Sequence, residues 1–101
     1  MSWLDRRRAR NQAAVAALLR GAATDVEAGM PVTTAILNAH VPRAVKVHAS
    51  GLLEKAANEW VGVGVPQLER DASPVAIAEI MRRLASALEG LRHDSDGERA
   101  E

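Results

Sequence analysis

Apolar residues recur along this chain with the period of an α-helix, most clearly near its end. Ile77, Ile80, Met81, Leu84, Leu88 and Leu91 form one continuous stripe, with Glu79, Arg82, Arg83 and Ser86 outside it. Ser73 supplies an N-cap and Pro74 suits the first helical position, so a helix is expected over 74–91. Near the start, Val15, Leu18, Leu19, Ala22 and Val26 follow the i, i+3, i+4, i+7, i+11 spacing of an amphipathic helix. Ser2 with Asp5 three residues on is an imperfect capping box, so this helix is expected over 3–28. Gly21 costs it about 1 kcal/mol relative to Ala, and Thr24 offers a cap from which a second helix could restart.

The pattern breaks twice in the same way. Gly29-Met30-Pro31 and Gly64-Val65-Pro66 are both Gly-hydrophobic-Pro, and little else matches between their surroundings. They read as two helix stops sharing a mechanism, not as a duplicated unit. Glycine can take the left-handed conformation that closes a helix, and proline cannot continue one. After the first break, Val32, Ala35, Ile36 and Ala39 suggest a short helix over 32–40, ended by Pro42. After the second, a short segment is expected over 66–72. The stretch between is ambiguous. Val45, Ala49, Leu52, Leu53, Ala56 and Trp60 have helical spacing, but Val41, Val45 and Val47 are β-branched and Ser50-Gly51 is turn-like. The expectation is a helix over 50–61. The alternative is a small β-ribbon pairing 44–48 with 61–65.

The fold class expected is therefore all-α: a small helical bundle of three longer helices joined by short helical or turn segments. Residues 1–92 make one helical domain and 93–101 a disordered acidic tail. With no Phe or Tyr, and Trp3 and Trp60 as the only aromatics, the core must be built from Ala, Val, Leu and Ile. No cysteine means no disulfide and no thiolate chemistry. No apolar run approaches the roughly 18 residues of a membrane helix, so a cytoplasmic location is expected. Net charge is zero but segregated. Residues 1–20 hold five Arg against Asp5, and residues 89–101 hold five acids against Arg92 and Arg99.

Candidate chemistry is sparse. His40, His48 and His93 have no metal-ligand spacing, and there is no phosphate loop, HExxH or nucleophile elbow. No enzyme activity, metal or cofactor is expected. The stripe of the last helix is long for so small a core. Another protein, or a second copy of the chain, is therefore expected to complete it, through Trp3, Leu4, Met81, Leu84, Leu88 and Leu91. This points to a non-enzymatic helical interaction module: an adaptor, inhibitor or assembly factor.

A second reading competes. Thr24 to Val41 resembles the helix-turn-helix of bacterial repressors, with Ala28-Gly29-Met30 as turn and Pro31 to Asn38 as recognition helix. The resemblance implies a DNA-binding regulator reading bases through Thr33, Thr34 and Asn38, with Arg6, Arg7, Arg8 and Arg10 as an arm on phosphates. The chain departs from that pattern at Asp25, where a small buried residue is usual, and has no Arg, Lys or Gln in the recognition segment. Trp60-Val61-Gly62 resembles the W-x-G element of small secreted helical-hairpin proteins of type VII systems. The absence of any Tyr leaves out that family's C-terminal signal.

Overall fold

The computed structural model describes residues 3–100, with side chains described at Arg6 and over 10–90. Five helices follow in order: α1 (Trp3–Glu27), α2 (Val32–Leu37), α3 (Arg43–Trp60), α4 (Val65–Asp71) and α5 (Pro74–Ala100). The all-α expectation holds, with three longer helices and two short ones between them. The side chains of the expected acidic tail, 93–101, lie outside the described residues.

Helices α1 and α5 run antiparallel and make the most extensive packing in the molecule. Two exposed ion pairs mark their register. Arg20 pairs with Glu89, and seven residues further along α1 Glu27 pairs with Arg82, seven residues back along α5. Helix α3 packs across both and completes a three-helix frame. The largest fully buried side chains, Val15, Leu19, Leu53 and Met81, come from all three frame helices. Between them lie Ala23, Ala49, Ala57, Ala78 and Ala85, each fully buried. Alanine at these seams lets helix axes approach toward the lower end of the usual range of about 8–10 Å. A core without Phe or Tyr is thus filled by aliphatic side chains interleaved with alanines.

One alternative is set aside and one expectation is corrected. Helix α1 runs unbroken through Gly21 and Thr24. The Thr24 hydroxyl donates back to the Arg20 carbonyl at 3.4 Å, a bond within the helix, instead of capping a new one. Helix α3 starts at Arg43, not Ser50. The Pro42 carbonyl accepts from Val45 N–H (3.0 Å) and Lys46 N–H (3.3 Å) and opens the helix there. The described residues contain no strand, so the ribbon of 44–48 with 61–65 does not form. The reason is an energy balance. Two exposed or half-exposed valines and Gly51 cost a helix roughly 0.5–1 kcal/mol each. Against this, a helical period buries Ala49, Leu53, Ala56 and Ala57 on one face and half-buries Val45 and Leu52 beside them. Burial of a large apolar side chain contributes about 1.5–3 kcal/mol, so packing overrides propensity.

The two short helices are far below the length at which a helix stands alone in water. Each is fastened by side chains from elsewhere. The N-cap residues, Pro31 for α2 and Gly64 for α4, offer no side-chain cap. The Glu69 carboxylate, carried on α4, accepts from Val32 N–H at 3.2 Å and caps α2. The Glu54 carboxylate, carried on α3, accepts from Val65 N–H at 2.9 Å and caps α4. At the other end of α2, Lys46 Nζ donates to the Leu37 carbonyl at 2.6 Å. Anion at the N-terminus and cation at the C-terminus both oppose the helix dipole favourably. Helix α5 needs no such help: Ser73 Oγ accepts from Ala76 N–H at 3.1 Å, the cap its sequence announced.

Candidate interaction surface

The apolar stripe of α5 is used up inside the chain. Met81 is 0% exposed and Leu84 and Leu88 are each 7% exposed, with α1 as the principal cover of their helix. The stripe length that suggested a missing partner is met by an α1 of 25 residues. Trp3, Leu4 and Leu91, expected to act with them, have side chains outside the described residues. The ion pairs flank the same seam. Arg20 also donates to Ser86 Oγ at 3.0 Å, and its bond to Glu89 holds that carboxyl below the ordinary carboxylate range.

The residues of the helix-turn-helix reading are placed apart. Thr33 and Thr34 are exposed on α2, beyond the C-terminal end of α1. Arg6 and Arg10 are exposed near its N-terminal end. From Arg10 to Glu27 the helix rises about 25 Å. Helix α2 stops at Leu37 after six residues, and Asn38 is its C-cap. The Asn38 amide turns to Met30 Sδ at 3.9 Å. Arg7 and Arg8 have side chains outside the described residues.

What the surface does display is apolar, where α2 hands over to α3. Leu37 is 61% exposed and Val47 is 63% exposed, the two most exposed large apolar side chains among the described residues. The Lys46–Leu37 hydrogen bond ties the segments that carry them. Half-buried Ala39, Val41 and Val45 extend the same corner inward. Beside it a cleft of 280 Å³ opens between α1 and α3, lined by Asn11, Val15, Ala44, Val45 and His48. Val61 and Val75 are also exposed, but at the far end of α3 and the start of α5. A helix expected only from Ser50 hides this corner from sequence reasoning. Once α3 begins at Arg43, the buried positions 49 and 53 and the half-buried 45 and 52 put Val47 on the outward face.

Polar chemistry is confined to the surface. Among the described residues no polar or charged side chain is buried, and no three His, Asp or Glu residues group as a metal site. His40 and His48 are exposed. Trp60 lies at the end of α3 with the Arg83 guanidinium 4.1 Å from its ring centroid, a cation–π contact that joins α3 to α5. Among the described residues no helix is long and apolar enough to cross a membrane. No protein-family model, curated protein or solved structure matches this chain.

Proposed function

We propose that this protein is a small non-enzymatic helical interaction module, binding another protein or a second copy of itself. The observation that carries the reading is the exposed pair Leu37 and Val47 on segments tied by Lys46. Scattered single apolar residues on a surface need no explanation, but two highly exposed ones on tied segments near a cleft are the usual makeup of a contact patch. The surface moves from α5, where the sequence suggested it, to the α2–α3 corner. Adaptor, inhibitor and assembly factor are all consistent with such a patch. The DNA-binding alternative draws less support, because α2 is six residues long and carries no basic residue.

Light scattering at tens of micromolar, at low and high salt and with and without duplex DNA, tests both. Association that persists at high salt and weakens in Leu37→Ser/Val47→Ser supports the module, since apolar packing is little affected by screening. A complex with DNA at low salt that dissolves as salt rises moves the reading to the regulator. A monomer at all conditions, with no partner-dependent shift, sinks the proposed self-association.

A further inference from the structure

Helices α2 and α4 hardly touch through their backbones, yet a single carboxylate joins them. Glu69 sits on α4 and caps α2 at Val32. It also lines both clefts at this face of the molecule. One, of 190 Å³, runs among Val32, Ile36, Leu53, Val65 and Pro66. The other, of 220 Å³, lies among Val26, Met30, Val32, Ala72 and Ile77. Helix α4 is in turn capped by Glu54, which stands on the frame helix α3. The preceding helices stop at Gly29 and Gly62, both at positive φ, so the backbone is already turned where each short segment leaves the frame.

We infer that α2 and α4 form a latch that opens as one unit on the closed frame of α1, α3 and α5. Glu54 fastens α4 and Lys46 fastens the end of α2 to the frame helix α3, and Glu69 couples the two halves. Short helices whose hydrogen bonds depend on remote caps belong to the least stable part of a fold. Clefts on both sides of Glu69 thin the packing there, so the layer is held chiefly by four buried side chains, Val32, Ala35, Ile36 and Leu68, which opening must uncover. The coupling has a thermodynamic consequence. An opening of α4 breaks two carboxylate bonds, Glu54–Val65 and Glu69–Val32. If α2 leaves with it, a lesion at Glu54 is felt at α2, although the hydrogen bonds of the Glu54 carboxylate go to Val65 and Asn58 and none to α2. What the latch covers in the frame is apolar: Val26, Leu53 and Ile77.

Native-state hydrogen exchange on the full chain tests this, residue by residue. In Glu54→Ala, amides of α4 and of α2 are both expected to exchange about tenfold faster, the size of one lost charge-assisted bond. Amides around Val15, Leu19 and Met81 in the frame should stay unchanged. In a Glu69→Ala background the same Glu54→Ala change should speed α4 alone. Glu54→Gln, which keeps an acceptor but loses the charge, should give the same pattern at smaller size, and serves if the alanine variant unfolds. Exchange at α2 that ignores Glu54 in the wild-type background overturns the inference. So does a rise in the frame equal to that in the short helices, which marks global unfolding.

Discussion

At the first break the motif's own glycine stops the helix. At the second a different glycine does so, and the motif's glycine opens the next helix. Gly29 takes φ 112°, its N–H donates to the Val26 carbonyl at 2.9 Å, and Met30 N–H reaches back to Asp25 at 3.0 Å. These are the two bonds of a Schellman cap. Pro31 then serves at once as the N-cap of α2. In the second break, Gly62 has the positive φ, 85°, and its N–H bonds to the carbonyls of Ala57 and Asn58, both at 3.1 Å. Gly64 has an ordinary φ of −77° and is the N-cap of α4, with Pro66 already inside that helix. Its lack of a side chain has another use. A Cβ there would lie 2.5 Å from Glu54 Oε1, the carboxylate that caps α4. One letter pattern thus answers two needs, backbone freedom in the first break and room for a neighbour in the second.

The largest expected effect separates the two stops. Gly29→Ala should cost about 2 kcal/mol, because φ 112° lies well beyond the left-handed well that an L-residue can enter. Gly62→Ala, at φ 85°, should cost about 1 kcal/mol. At neither position would the added methyl meet an atom within 4 Å, so conformation alone sets both costs. Urea unfolding midpoints measure the difference. Equal costs would mean that the backbone relaxes at both sites and that the distinction in φ carries no energy.

A smaller effect tests the role assigned to Gly64. There Ala is conformationally allowed and reduces the freedom of the unfolded chain, a gain of about 0.4–1 kcal/mol. Against this stands the loss of the Glu54 cap, on the order of 1 kcal/mol. Gly64→Ala should therefore be close to neutral in the wild type. In a Glu54→Ala background, with no carboxylate left to displace, it should be stabilising by about 0.5 kcal/mol. The double-mutant cycle isolates the coupling. Strict additivity would show that the methyl and the carboxylate accommodate each other.

How much of this the sequence shows depends on where each interaction's partner lies. Ser73-Pro74 was readable because cap and helix are adjacent, and the α5 stripe because its period is local. The Gly29 stop was readable for the same reason. The start of α3 was not. Val45, Val47 and Gly51 speak against helix locally, and the burial that overrules them comes from helices distant in sequence, α1, α2 and α5. The caps on α2 and α4 are equally invisible, since Glu69 lies 37 residues from Val32 and Glu54 lies 11 from Val65. The burial of Met81, Leu84 and Leu88 within the chain was hidden in the same way. The length of α1 was legible, but that it lies antiparallel along the α5 stripe depends on two segments far apart in sequence, and the Leu37–Val47 corner exists only when α3 begins at Arg43.

The smallest effect touches neither break and so serves as their control. Glu89 is held below its ordinary range by its hydrogen bond to Arg20, on the exposed flank of the α1–α5 seam. A carboxyl depressed in the folded state stabilises above its unfolded pKa, and that contribution is lost as pH falls through the folded value. Stability should therefore decline from about the ordinary carboxylate value of 4.5 downward, and Glu89→Gln should flatten that decline. The pair is solvent-exposed, so added salt should shrink the difference between the two proteins. The cost of Gly29→Ala relative to Gly62→Ala should be the same on both sides of this window, because backbone conformation does not titrate. A gap that closes in acid would mean that the first break depends on the charges of the seam beside it, and Glu27, which pairs with Arg82 two residues before Gly29, would be the group to change next.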